Sequence, residues 1–247
     1  MKKSPILSVQ HMDMIFPDEN GGLHAVENIS FEVCPQEFLC VVGPSGCGKS
    51  TLLRVLAGLL IPTRGQVKFR GDSPRIGMVF QQSNLMPWRS VLENIILPLE
   101  LDGMDSMTAH DKAQDLIELV GLQGFEDNYP RDLSGGMAQR VALARSLIHD
   151  PDILLLDEPF ASLDALTRDR MGTELLRIWG ARQKTVMMVT HSISEAVLLA
   201  DRVLVMSQRP GSIKLDMNVD LPRPRAEEMR YTPGFGEMAK KLKDAIE

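Results

Sequence analysis

The chain has 247 residues, 44% of them hydrophobic, enough to bury a substantial core as one large domain or two small ones. Its balance of 27 basic and 33 acidic side chains, a net charge of −6, lacks the basic footprint of a nucleic-acid binder and argues against duplex DNA or RNA as the main partner. The start, Met1-Lys2-Lys3-Ser4-Pro5, is not followed by an apolar run of signal-peptide length, and no segment reaches membrane-spanning length. Cys34, Cys40 and Cys47 are too few for a disulfide framework and suit a reducing cytosol, and the five scattered histidines predict no protein-only metal site.

In chain order, Glu27 to Val33 alternates Ile29, Phe31 and Val33 with Asn28, Ser30 and Glu32, which reads as a strand of an antiparallel sheet with one wet face. Phe38 to Val42 is an unbroken apolar run, expected of a parallel strand buried on both faces. A helix follows, with Leu52, Leu53, Leu56 and Leu60 on one stripe. From Ser83 to His149 the patterns are helices and turns. One helix carries Ala109, Ala113, Leu116, Ile117 and Val120, with Thr108 and Asp111 placed as a capping box. Strand-like runs resume at Ile153, Thr185 and Arg202, so a helical insert in an α/β core is expected. The tail from Leu221 contains Pro222, Pro224 and Pro233 and should begin extended, then close with a short helix presenting Met238, Leu242, Ala245 and Ile246 on one face.

The chemistry begins at Gly43-Pro44-Ser45-Gly46-Cys47-Gly48-Lys49-Ser50-Thr51, which fits G-x-x-x-x-G-K-[ST] between a buried strand and an amphipathic helix. Glycines let successive backbone N–H groups surround phosphate oxygens, and the helix N-terminus adds its positive dipole end. Lys49 is expected to bridge the β- and γ-phosphates of a nucleotide, ATP being the best fit, and the Ser50 hydroxyl to ligate Mg²⁺. Cys47 is a small side chain at a position the pattern leaves open. Ile153-Leu154-Leu155-Leu156-Asp157-Glu158 is a buried strand ending in two carboxylates, a Walker B arrangement. Asp157 is expected to hold Mg²⁺, and Glu158 to polarise an attacking water as general base.

A second anion-grade feature is Leu133-Ser134-Gly135-Gly136-Met137-Ala138-Gln139-Arg140, opening a helix that carries Val141, Ala144, Leu147 and Ile148. Alone, Ser-Gly-Gly before a helix reads as an N-cap. Followed by Asp157-Glu158, it makes the whole chain resemble the ATP-binding subunits of ABC transporters, whose LSGGQ signature precedes Walker B; Met137 stands where that motif has glutamine. The resemblance implies a P-loop α/β core with a parallel central sheet and an antiparallel β subdomain (1–85 and 150–220), a helical signature subdomain (86–149) and a C-terminal tail (221–247).

The resemblance also assigns residues. Gln81, with Gln82 as the adjacent alternative, corresponds to the Q-loop glutamine that touches Mg²⁺ and water. Ser162-Leu163-Asp164 corresponds to the D-loop, and His191 to the switch histidine that contacts the γ-phosphate. Phe16 stands where the family places an aromatic ring on adenine, before a somewhat long stretch from Pro17 to His24. Two copies are expected to pair head to tail, each ATP between the phosphate loop of one and the signature of the other. Separate permease subunits would dock on the helical insert at the cytoplasmic face of the membrane, with a solute-binding protein acting on them from outside. The chain ends soon after the core, so no large appended regulatory domain is expected.

Met86 to Asn94, Ala200 to Val203, Arg209-Pro210-Gly211 and Asp220 to Arg225 resemble the branch importing nitrate, sulfonates or taurine, as family texture with no assigned chemistry. The alternatives are another importer branch, an exporter or lipid-handling system, a non-transport ATPase of the superfamily, and a structural module without turnover. Glu158 and His191 oppose the last.

Overall fold

A computed structural model of the chain describes residues 4–18, 22–71 and 74–247. Met1 to Lys3, which open the segment read as too short for a signal peptide, and Glu19 to Gly21 of the stretch after Phe16 lie outside the described residues. In chain order the first elements are β1 (Leu7–Phe16), β2 (Leu23–Val33), β3 (Phe38–Val42), α1 (Lys49–Leu56) and β4 (Arg64–Phe69). Next come β5 (Ile76–Val79), α2 (Val91–Leu101), α3 (Ser106–Leu119), α4 (Gly135–Leu147), β6 (Ile153–Asp157) and α5 (Ala165–Arg182). The chain finishes with β7 (Thr185–Val189), α6 (Ile193–Leu199), β8 (Arg202–Met206), β9 (Ile213–Asn218) and α7 (Pro233–Ile246). Two compact units result, Met1–Pro74 with Lys184–Glu247, and Arg75–Gln183.

The first unit holds two sheets. The antiparallel one has the order β2-β1-β4. In the other, β3 lies between β7 and β8 as parallel neighbours, and β9 is added antiparallel to β8. All five residues of β3 and of β7 are buried, the condition that selects unbroken apolar runs over alternating ones. β2 extends four residues further back than its alternating part, to Leu23. The alternation starts late because Asn28 adopts φ 50°, a local irregularity that resets which residues face inward.

The second unit pairs β5 with β6 in parallel, Val79 opposite Leu156, and sets α4 against β5 with α2, α3 and α5 packed on α4. The predicted inner face of α3 is buried from Ala109 to Val120, as are Val141, Ala144, Leu147 and Ile148 around α4. The expected Thr108–Asp111 box is not the start of α3. Asp105 caps it, accepting from the Thr108 backbone N–H at 2.9 Å, because helix formation gains a turn when an earlier carboxylate satisfies an orphan N–H. Leu60 falls beyond α1, whose last helical residue is Leu56. The tail helix has fourteen residues, and its predicted stripe is continued by buried Phe235. Among the described residues no helix is long and apolar enough to cross a membrane.

Candidate nucleotide site

In the first unit, β3 delivers the chain into the glycine loop. Gly46 and Gly48 take φ 77° and 102°, conformations open to glycine and strained for other residues. A Cβ on Gly48 would lie 2.5 Å from a Val26 methyl and 2.7 Å from the Ala25 carbonyl oxygen. The turn ends as the N-terminus of α1, where Leu52 N–H donates back to the Gly48 carbonyl at 2.8 Å. Lys49 is buried, and its Nζ donates to the carbonyls of Gly43 and Pro44 at 2.9 Å each, which holds the ammonium against the loop. Cys47 is fully buried with its sulfur 3.9 Å from that Nζ, a packing role within the turn.

Gly211 was given no chemistry by the sequence, yet it packs directly beneath this loop. A Cβ there would lie 2.0 Å from the Cys47 carbonyl oxygen, and the backbone of Gly211 pairs with Ala25 and Glu27 of β2. The Arg-Pro-Gly spacing was visible; the close approach that makes it matter was not.

His191 follows β7. Thr190 N–H donates to the Val41 carbonyl at 3.1 Å, so the histidine leaves the sheet beside the strand that feeds the phosphate loop. Its neighbours are pinned. Thr190 Oγ1 donates to the buried Glu195 carboxylate at 2.6 Å, Ser192 N–H donates to Thr190 Oγ1, and the Ser192 side chain caps α6 by accepting from Glu195 N–H. The imidazole itself is exposed. Phe16 is the last residue of β1, half-buried and paired with Leu23; Leu23 and His24, read as connecting chain, already belong to β2.

In the second unit, Asp157 ends β6 and is only 4% exposed, and Glu158 follows with φ 45°. A left-handed glutamate is uncommon, and here it turns the chain sharply out of the strand at the carboxyl end, closed by Ala161 N–H donating to the Glu158 carbonyl at 3.1 Å. Gln81 emerges from the same end of the neighbouring β5 and is exposed. The loop it opens is tied down by residues that sequence reading passed over. Gln139 donates to the Phe80 carbonyl at 3.4 Å, and Arg145 donates to the carbonyls of Ser83 and Asn84 at 2.8 and 3.0 Å. The Asn94 side chain spans Met86, Arg89 and Ser90. Burial lowers the pKa of Arg145 from its ordinary value.

Ser134 caps α4, its hydroxyl accepting from Met137 N–H at 3.3 Å. Of the two glycines after it, Gly136 is the more tightly placed: a Cβ there would lie 3.1 Å from a Thr167 methyl, whereas one on Gly135 would make an ordinary 3.4 Å contact with Leu163. Asp164 in turn caps α5 by accepting from Thr167 N–H at 3.0 Å. Hydrogen bonds from the Thr167 side chain and then its backbone hold the Asp164 carboxyl below the usual range.

A buried strand, a glycine turn with a lysine folded onto it and a helix N-terminus, together with a second buried strand ending in paired carboxylates, define a phosphate-loop nucleotide-binding protein. The ABC transporter family matches residues 26–161. An uncharacterized ABC transporter ATP-binding protein of Methanocaldococcus jannaschii is 50% identical over 96% of this chain and 89% of its own length. An aliphatic sulfonates import ATP-binding protein of Bacillus cereus is 41% identical over 98% of this chain and 96% of its own. A taurine import ATP-binding protein of Pelagibacter ubique is 43% identical over 92% and 89%. Among solved structures, a dimeric ATP-binding cassette in a post-hydrolysis state with ADP and phosphate superposes with a TM-score of 0.76 at 29% identity, covering 87% of this chain and 100% of the other. The chain belongs to the ABC transporter family and is one of its ATP-binding, ATP-hydrolysing chains.

Proposed function

We propose that this chain powers import of a small solute, a sulfonate, taurine, nitrate or a related anion, by hydrolysing ATP at the cytoplasmic face of a membrane. The observation that carries the ATPase reading is the phosphate loop with Lys49 held on its own carbonyls at the mouth of α1. The solute class is supported by likeness to sulfonate and taurine import proteins along nearly the whole chain.

In this reading the N–H groups of Gly43 to Thr51 and the Lys49 ammonium bind the β- and γ-phosphates, Phe16 lies against adenine, and His191 contacts the γ-phosphate. A buried carboxylate, a hydroxyl and an amide oxygen are the hard oxygen donors Mg²⁺ takes, so Asp157, Ser50 and Gln81 would hold it. Bound there, Mg²⁺ would supply neutralisation of phosphate charge. Glu158 accepts the proton of a water whose oxygen bonds to the γ-phosphorus as the bond to the β-phosphate oxygen breaks, leaving ADP and inorganic phosphate. Ser134, Gly135 and Gly136 supply N–H donors to the nucleotide of a second copy, with Asp164 beside them, so that two chains close head to tail. Residues 86–149 meet separate permease subunits, through which a solute-binding protein acts from outside.

Glu158→Gln should retain ATP binding, lower hydrolysis by roughly 10²- to 10⁴-fold and accumulate an ATP-dependent dimer on gel filtration. Unchanged turnover removes Glu158 from the mechanism. In vesicles carrying the complete transporter, ATP hydrolysis should rise with an external sulfonate, taurine or nitrate; a response only to amino acids or metal ions overturns the solute class.

A further inference from the structure

The segment Asp220 to Arg225 looks like mere branch texture in sequence, but its two arginines fasten the helix that carries the histidine loop. Arg225 is only 6% exposed. Its Nη1 donates to the carbonyls of Val197 and Leu198 at 3.2 and 3.4 Å and of Ala200, and its Nη2 to those of Val219 and Leu221 at 3.1 Å. These acceptors include the C-terminal carbonyls of α6, which have no partner within the helix, and the fork of a guanidinium can satisfy several at once while its charge complements the negative helix end. Arg223 completes the set. It donates to the Leu199 carbonyl and to Asp201 at 2.8 Å each, and the other oxygen of Asp201 accepts from Phe38 N–H at the start of β3. Burial, and then the neighbouring Arg223, pull the pKa of Arg225 down to about 10, which leaves it charged at neutral pH.

A buried guanidinium is costly to leave unpaired; the buried Nε of Arg225 makes no hydrogen bond, so its charge rests on the five carbonyls that accept from Nη1 and Nη2, and these tie down the end of the helix. α6 has seven residues, too short to be stable alone, and owes its placement to what holds its ends. The other end is the Glu195 carboxylate, joined to Thr190 and through the cap to Ser192, the two residues on either side of His191. Glu195 to Leu199 are all buried, so the helix is packed along its length between the two ends.

We infer that Arg225, supported by Arg223, is a positioning residue for His191: the tail sets the height of the histidine by clamping the far end of α6. This rests on the reading of His191 as a γ-phosphate contact. The acceptors that hold the clamp, from Val197 to Asp201 with Val219 and Leu221, lie outside the phosphate loop, so its effect should fall on turnover and not on ATP affinity.

The test is single-turnover ATP hydrolysis, with ATP KM from steady state, for Arg225→Met, His191→Gln and the double variant of the full chain. Arg225→Met should lower turnover by roughly tenfold, since a displacement of about 1 Å in a catalytic group costs up to about 10²-fold, while KM stays within about twofold. In the His191→Gln background the same substitution should cost no more than about twofold, because interacting residues are non-additive. An equal loss in both backgrounds would mean a general structural role and would overturn the inference, as would full turnover in Arg225→Met. If Arg225→Met does not fold, the more exposed Arg223→Gln decides by the same cycle, with a loss of roughly threefold expected that disappears without the histidine. Full turnover in His191→Gln overturns the underlying reading of the histidine as well, whereas an impaired His191→Gln beside an unaffected arginine variant overturns the clamp alone.

Discussion

A methyl group added at Gly211 has nowhere to go. The nearest atom to it is the backbone carbonyl oxygen of Cys47, 2.0 Å away, with a Met206 methyl at 2.6 Å, and backbone cannot swing aside as the tip of a side chain can. Gly211→Ala should therefore push the centre of the phosphate loop outward. The expected result is ATP binding weakened by about tenfold or more in calorimetry, since loss of one or two N–H contacts to phosphate is on the order of 1.5–3 kcal/mol each. Unchanged affinity would mean the loop is more compliant than its packing indicates. The residues that touch phosphate announce themselves in sequence because their spacing is fixed by local backbone geometry. Gly211, Arg145, Asn94 and Glu195 did not, because each acts on a loop through contacts decided by the fold; only Asn94 and Glu195 lie close in sequence to what they hold, and there the pattern was too ordinary to read.

Among the elements, the strands that were missed show why periodicity fails. β1 has inward Leu7 and Val9, then Met12 and Met14, with the phase changing at His11, where φ is 47° and the register to β2 slips. A single inserted residue moves every later side chain to the other face, so an alternation test across it cancels. β4 offers only half-buried Val67 and Phe69, too little apolar contrast to read. The start of α4 was legible because Ser134 stands before two glycines and an apolar stripe, whereas that of α3 was misplaced although Asp105 caps it with its side chain. At α2, Glu93 N–H donates to Ser90 Oγ at 3.3 Å and Ser90 N–H to the Glu93 carboxylate at 2.7 Å. Ser90→Ala should lower stability by about 1 kcal/mol, seen as a reduced urea midpoint with unchanged slope. At α3 the cap is a carboxylate, and hydrogen bonds from the Thr108 backbone and then its side chain hold Asp105 below the ordinary range. A carboxyl with a depressed folded pKa contributes stability above its unfolded pKa and loses it as pH falls through the folded one. Wild type should thus exceed Asp105→Asn in stability at neutral pH, and the difference should vanish in acid below the ordinary aspartate range; a difference that persists there would mean that charge is not its source.

For the whole molecule, two anion-grade features stand in one chain, the loop from Gly43 to Thr51 and the α4 N-terminus from Ser134 to Gly136, and only the family resemblance offers a reason for having both. Pairing between copies leaves no mark on hydrophobic periodicity, because the groups involved are backbone N–H donors at a helix end. A cassette similar to this chain was solved as a dimer with ADP and phosphate. If each nucleotide here is likewise shared, a lone chain possesses the loop and its lysine but lacks the second set of donors. It should bind ATP with an affinity independent of protein concentration while hydrolysing it poorly, and specific activity should climb steeply as the concentration passes the dimer dissociation constant. Activity measured across a dilution series, with the monomer fraction read by analytical ultracentrifugation in ATP, separates the two behaviours. Specific activity that stays at its full value where only monomer is present would place every catalytic group within one chain and leave Ser134 to Gly136 as nothing more than a helix cap.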